Sequence, residues 1–210
     1  MSKRAQILYE EIAKDPEFGR VLEYQKQLEK WNQRFPLTSV PAEEVMARLI
    51  APSVWLAMRY RHQDVGLICD FGSGAGIPGI PMAIIDSRNK YVMIESNSKK
   101  AGFLRSCMGS LSINKGSNID VLQERIKPGA WDNTEKVNAV VTRGTGTILE
   151  IVDMWTGKLS PGARFDIFKG ERAGLEITEL HAKYPDAQAR HLGVPDWFGN
   201  LQVVRIEGVI

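Results

Sequence analysis

Gly66-Leu67-Ile68-Cys69-Asp70-Phe71, running on into Gly72-Ser73-Gly74-Ala75-Gly76-Ile77-Pro78-Gly79, is the stretch that decides the fold. Its first half is a short, almost continuous apolar run, the pattern of a strand buried on both faces. Its second half is rich in glycine, and Pro78 suits the first turn of a helix, where its missing N–H is no loss. A buried strand that passes through glycines into a helix opens a parallel α/β sheet. In such sheets ligands bind at the carboxyl ends of the strands. Glycines belong there because a Cβ would block the approach of a ligand to the backbone.

Working outward, the same rhythm repeats. Tyr91–Glu95, Ile119–Gln123, Val137–Thr142 and Ala163–Phe168 read as further strands, with helical patterns over 78–86, 97–111, 147–159 and 172–184. His191–Val194 and Gln202–Ile206 read as two last strands, too close for a helical crossover and so an antiparallel pair. Upstream, residues 5–34 read as one or two helices, with Leu22, Leu28 and Trp31 at helical spacing. Residues 41–61 read as another helix, with a kink or break expected at Pro52. The expected architecture is α/β, a doubly wound, mostly parallel seven-stranded sheet with an antiparallel edge hairpin. Residues 1–61 would form an N-terminal helical extension and 62–210 the sheet domain.

The rest of the composition narrows the chemistry. The chain has 210 residues, 43% hydrophobic and 25% charged, enough for one proper core. A net charge of +2 sets up no global field that would announce nucleic acid. Two cysteines, Cys69 and Cys107, build neither a disulfide framework nor a metal knuckle, and suit a reducing cytosol. The first twenty residues are charged throughout and no apolar run approaches the roughly 18 residues of a membrane span, so a cytoplasmic protein without a membrane is expected. His62, His181 and His191 are scattered, so no metal is expected. There is no phosphate loop, and Gly72-Ser73-Gly74 lacks the spacing of a nucleophile elbow. The fourth strand ends in Thr142-Arg143-Gly144-Thr145-Gly146 rather than an Asn/Asp-Pro-Pro-Tyr segment, which disfavours exocyclic amine methylation. Neither cysteine neighbours a proline, as a cytosine C5 enzyme would need.

Two cofactors compete for the glycine segment, since Gly74-Ala75-Gly76-Ile77-Pro78-Gly79 also matches G-x-G-x-x-G. The glycine directly after the strand is Gly72, however, and in that register the sixth position is Ile77, so the dinucleotide pattern fails. A carboxylate at Asp70 would repel a pyrophosphate but attract an ammonium, which S-adenosylmethionine carries. Glu95, at the end of the second strand, can accept both ribose hydroxyls of an adenosine in either cofactor. As an acceptor, a ring nitrogen such as guanine N7 has a free lone pair and loses no proton on attack. It needs no general base, which suits a site with Arg and Thr but no His or Cys.

These residues resemble the bacterial guanine-N7 methyltransferase G family of small-subunit ribosomal RNA, also called glucose-inhibited division protein B. The similarity runs over Trp31-Asn32 with Leu37-Thr38, the Gly-Ile-Pro-Gly-Ile-Pro run ending at Pro81, and Glu95 with Lys99-Lys100 and Phe103-Leu104-Arg105. Gln123-Glu124-Arg125, Thr142-Arg143-Gly144 and Phe168-Lys169-Gly170 follow in the family's order. The resemblance implies a Rossmann-like class I methyltransferase fold, S-adenosylmethionine as cofactor, and ribosomal RNA or the small ribosomal subunit as partner; the chain itself leaves the oligomeric state open, with a monomer expected. By position it implies cofactor binding by Asp70, Gly72, Ser73, Gly74, Gly76, Glu95, Glu124, Arg125 and Arg143. It puts Arg143 and Lys169 at the acceptor as catalytic residues.

The chain departs from the family's Arg-His-x-x-Asp-Ser segment, reading Arg48-Leu49-Ile50-Ala51-Pro52-Ser53, and has Pro36, Asn138 and Lys127 where Asn and two acidic residues are expected. A Glu-Arg-His-like segment near the C-terminus is replaced by Gly199-Asn200-Leu201-Gln202. The alternatives to a guanine-N7 enzyme are therefore a methyltransferase on another RNA site or a small molecule, and a non-catalytic cofactor- or RNA-binding relative. Restoring His and Asp at 49 and 52 is expected to raise activity if the divergence is local. Plainer readings stand beside the functional ones: Trp31 as core, Lys99, Lys100 and Arg105 as a solvated face, and Arg143 and Lys169 as ordinary charged strand ends.

Overall fold

The computed structural model describes residue 10 and residues 12–111, 119–126 and 135–209. Among these, seven strands form one sheet: β1 (Leu67–Phe71), β2 (Lys90–Ile94), β3 (Ile119–Leu122), β4 (Val137–Arg143), β5 (Leu159–Lys169), β6 (Gln188–Leu192) and β7 (Gln202–Glu207). Their order across the sheet is β3-β2-β1-β4-β5-β7-β6. The first five run parallel, and β7 lies antiparallel between β5 and β6. The fold is thus the doubly wound sheet with an antiparallel edge that the sequence pattern implies. The strand order reverses between β1 and β4, which makes the crevice outside their carboxyl ends the natural ligand site.

Strand alternation explains why both faces are covered. Ile68, Met93 and Val141 enter one apolar cluster, while their neighbours Cys69, Val92 and Val140 enter the other. The first cluster is closed by α1 (Phe18–Asn32), α2 (Ala42–Val45), α3 (Ala51–Tyr60), α4 (Gly79–Ile85) and α5 (Ser98–Ser110). The second is closed by α6 (Ile148–Trp155) and α7 (Ala173–Lys183), with Trp155 fully buried at its centre. The N-terminal helices bury Val21, Tyr24, Leu28 and Ile50 in the same cluster as the sheet, so they share its core.

Several local readings change, among them the start of β5, which lies at Leu159 and not Ala163. The buried stripe of α1 is Val21, Tyr24 and Leu28; Leu22 is exposed, because a single position shift on a helix turns a side chain by 100°. The irregularity expected at Pro52 lies just before it, and the helix runs on through the proline without a break. A π turn over Met46–Ile50 joins α2 to α3, the Ala51 N–H donates to Met46 O, and the widened backbone accommodates a proline that lacks an N–H. Strand β6 begins three residues earlier than expected, at Gln188, because its mostly exposed face carries no apolar signal.

The Trp31-Asn32 and Leu37-Thr38 pairs are joined in the structure: Asn32 Oδ1 accepts the Leu37 and Thr38 N–H groups at 2.7 and 2.9 Å, folding the chain back after α1. Trp31 packs against the core, edge-on to Phe103 at 5.5 Å between centroids. Asn138, where an acid was expected, accepts the Leu67 N–H at 3.0 Å through its carbonyl oxygen, a task an amide performs as well as a carboxylate.

Candidate active site

The site grows from the end of β1. Gly72 has φ +72°, and a Cβ there would lie 2.7 Å from the Thr145 side chain. Its N–H and that of Ser73 both donate to Ile94 O at 3.0 Å, turning the chain over the end of β2. The Thr142 and Thr145 hydroxyls donate to Phe71 O at 2.7 and 3.0 Å. The turn after β4 is thereby laced to the end of β1. Tyr24 reaches across from α1, its hydroxyl donating to Ala75 O at 2.6 Å, so the N-terminal extension braces the glycine loop from behind.

Glu95 lies directly against that loop. Its Oε2 accepts the Gly74 N–H at 2.9 Å and its Oε1 the Asn97 N–H at 2.7 Å. These two bonds fix the carboxylate at the rim of a cleft of about 420 Å³, lined by Phe71, Gly72, Ile94, Glu95 and Thr145 and by the Glu124-Arg125-Ile126 segment. Gly72, Glu95, Glu124 and Arg125 thus meet around one space.

Asp70 does not join them. It is fully buried, accepts the Gly79 N–H at 3.0 Å through Oδ2, and leaves Oδ1 without a protein partner among the described residues. Burial pushes its carboxyl up to about 7, opposed by its bonds to the loop. Asp70 lies under the loop, apart from the lining of this cleft, and ties β1 to the start of α4. Ser73 is also beneath, buried, with its hydroxyl donating to Asp70 O at 2.9 Å. A Cβ at Gly76 would meet Ile80 at 2.5 Å, so that glycine serves packing of the loop on α4.

Arg143 and Lys169 line a second cleft of about 880 Å³, together with Arg48, Phe168, Trp197 and Phe198. The Arg143 guanidinium lies 5.6 Å from the Phe168 ring centroid, and its buried Nη1 has no partner among the described residues. Burial first, and then the nearby Arg48, bring its pKa down to about 10, which leaves it cationic at neutral pH. Lys169 differs. Its ammonium is paired with Glu176 at 2.7 Å and bonded to Gly146 O, and Glu176 also accepts the Ile148 N–H at 2.8 Å. Its charge is spent holding the β4 turn and the start of α6.

Sequence reasoning did not single out Thr145, Tyr24, Arg48, Trp197 or Phe198. Thr145 and Arg48 fell within quoted segments but without a role, and only long-range packing brings all five to the site. Leu49 and Pro52, where the family has His and Asp, are both buried, and Lys127 lies outside the described residues. Among the described residues no group of His, Cys, Asp and Glu could hold a metal, and no helix is long and apolar enough to cross a membrane.

The first cleft fits S-adenosylmethionine. A fixed carboxylate stands at the end of β2, where it could accept ribose hydroxyls, and Gly72 packs so tightly against Thr145 that no Cβ has room there. The Glu124–Ile126 segment lines the same space. Comparison with known proteins agrees. The family model described as rRNA small subunit methyltransferase G matches residues 19–203. The chain is 31% identical over 189 residues to the ribosomal RNA small subunit methyltransferase G of Stenotrophomonas maltophilia strain K279a, covering 90% of this chain and 85% of that one. It is 30% identical over 184 residues to the protein of the same name from Solibacter usitatus, covering 83% of each. Among solved structures it is similar to a SAM-dependent methyltransferase from Aquifex aeolicus, with TM-score 0.61 and 12% identity over 89% of this chain and 98% of that one. An O-methyltransferase from Bacillus cereus in complex with SAH gives TM-score 0.62 and 13% identity over 89% and 91%. These two likenesses speak for the fold alone. With a family match that runs from the first turn of α1 into β7, this chain belongs to the rRNA small subunit methyltransferase G family.

Proposed function

We propose that this protein transfers the methyl group of S-adenosylmethionine to N7 of a guanine in small-subunit ribosomal RNA, free or in the small subunit, and that it acts as a monomer. The observation that carries the reading is the turn after β4. Thr145 faces the first cleft, while Arg143 and Gly144 line the second, so one short turn separates the donor space from the acceptor space.

When bound, S-adenosylmethionine supplies a sulfonium-borne methyl group, an electrophile that needs no acid catalyst. The chain's own residues position and shield. Glu95 offers its remaining lone pairs to ribose hydroxyls, while Gly74 and Asn97 hold it in place. Asp70, Ser73 and Tyr24 keep the loop in shape from behind. Arg143 presents an unpartnered N–H in a half-buried setting, where a hydrogen bond to a guanine O6 or a phosphate oxygen is stronger than in water. No group need remove a proton, because the attacking nitrogen carries none. Alignment and exclusion of water supply the rate, and the guanine must leave its stack to enter.

The test is methyl transfer to isolated small subunits by the full chain and by Arg143→Ala. We expect kcat/KM for subunits to fall by about 100-fold with the Kd for S-adenosylhomocysteine unchanged. Transfer by the variant at the wild-type rate would remove Arg143 from the acceptor site, and no transfer by the wild type would refute the assignment.

A further inference from the structure

The second cleft has an aromatic wall. The loop between β6 and β7 carries a one-turn 3-10 helix, Asp196–Phe198, that brings two aromatic rings to the cleft wall. Trp197 and Phe198 lie with ring centroids 3.8 Å apart at 56°. Phe198 in turn meets Trp55 of α3 edge-on at 6.4 Å, and Trp55 is almost fully buried. An aromatic row therefore runs from the core out to the cleft, ending in two half-buried rings.

The turn is held in place on both sides. Gly199 closes it at φ +67°, ψ −138°, a conformation that side chains avoid. Asn200 donates to Glu171 on the loop after β5. The cleft's charge is basic. Arg48, Arg143 and Arg172 line it against one carboxylate, Glu171, which accepts from Asn200, while Lys169 is paired with Glu176. Arg48 is shared with exposed Glu44 at 2.6 Å, and Arg143 keeps one N–H without a protein partner among the described residues. Half-exposed flat aromatic surface beside guanidinium groups matches one chemistry above others, a nucleobase to stack and a phosphate to neutralise.

We propose that Trp197, supported by Phe198 and Trp55, is a stacking platform for an unstacked base of the RNA acceptor, with Arg143 and Arg48 at the adjoining phosphates. This rests on the reading of the second cleft as the acceptor site, and assigns Trp197 as a residue that sets affinity for RNA without touching the cofactor. It places recognition on the loop where the family's Glu-Arg-His-like segment is missing.

The experiment is a binding titration of the full chain, saturated with S-adenosylhomocysteine, against a fluorescently labelled single-stranded hexaribonucleotide containing one guanosine. Wild type, Trp197→Ala and Trp197→Phe are compared, with unfolding temperature and the Kd for S-adenosylhomocysteine measured on each. The expected result is a loss of oligonucleotide affinity of about 5- to 100-fold in Trp197→Ala. Most of it should return in Trp197→Phe, with cofactor affinity unchanged throughout. Equal affinity of Trp197→Ala and wild type, or no binding by the wild type, would overturn the platform. So would a loss that Phe does not restore and that tracks unfolding temperature. A wild type that binds the oligonucleotide through Trp197 but methylates no ribosomal subunit would leave the platform standing and remove the proposed reaction instead.

Discussion

At the residue scale, the fate of Asp70 shows how burial decides what a carboxylate does. Its side chain is removed from water and bonded to the Gly79 N–H, and burial pushes its carboxyl up to about 7, against a usual value of about 4. Between those two values the folded chain holds a proton that the unfolded chain has lost. The contribution of Asp70 to stability is therefore full below about pH 4 and declines as pH rises to about 7. Asp70→Asn keeps an acceptor for Gly79 and removes the titration. We expect its unfolding free energy, measured in urea from pH 5 to pH 8, to gain on the wild type as pH rises, while S-adenosylhomocysteine affinity stays within a few fold. A difference that does not change with pH would place the Asp70 carboxyl in an unperturbed state, and a collapse of affinity would return it to the ligand side. The sequence made Asp70 conspicuous but was silent on its direction, because a strand residue's face follows from register and the loop beyond. Glu95 was legible in position for the converse reason: a strand end next to glycines has only the cleft to face. Lys169 was legible as a strand-end charge, but its partner Glu176 sits on α7, and nothing in the local sequence joins them.

At the element scale, the site is two turns laced together, and the lacing explains the glycine. Gly72 has φ +72° and sits under Thr145, so Gly72→Ala is strained in its backbone and collides with a side chain whose hydroxyl is engaged at Phe71 O. We expect that variant to lose about 2 kcal/mol of stability or more and at least tenfold in S-adenosylhomocysteine affinity, read by calorimetry. Wild-type affinity in Gly72→Ala would show that the first cleft is not the cofactor site. The helix through Pro52 carries the opposite lesson for the family's missing His and Asp. Leu49 is 7% exposed and belongs to the core cluster, and Pro52 is buried behind the π turn. Leu49→His with Pro52→Asp would therefore put two polar groups into an apolar setting built without partners for them. We expect a loss of about 2–5 kcal/mol and no gain in methyl transfer; a gain in transfer would mean that the surroundings still hold the ancestral pair. The alternation of apolar runs with helical spacing made the strands and most helices legible, since burial on both faces leaves a strong signal. The π turn and the shifted β6 were not, because one depends on how a proline is absorbed and the other lies on an exposed edge.

At the scale of the whole molecule, the antiparallel edge is bound to the N-terminal helices by a buried polar knot. Asp166 on β5 is fully buried and accepts from Arg205 on β7 at 2.8 and 2.6 Å and from the Tyr60 hydroxyl on α3 at 2.6 Å. Removing one partner leaves a buried charge uncompensated. Arg205→Met is accordingly expected to cost about 3–5 kcal/mol in unfolding free energy while leaving cofactor affinity near wild type, because the first cleft lies at the β1 and β4 ends. A cost below 1 kcal/mol would show that water reaches Asp166. With a net charge of +2 the molecule sets up no strong overall field, so the proposed RNA recognition would rest on the local cleft charges. The doubly wound sheet and much of the lining of the first cleft were readable from the chain; the second cleft as a whole was not, because it is assembled from α2–α3, β4, β5 and the β6–β7 loop. The most direct test of the account is to methylate isolated small subunits with the full chain and labelled S-adenosylmethionine, then locate the label by mass spectrometry of the digested RNA. The account predicts a single labelled guanosine carrying its methyl on N7; label on another atom or base, or on no RNA at all, would contradict it.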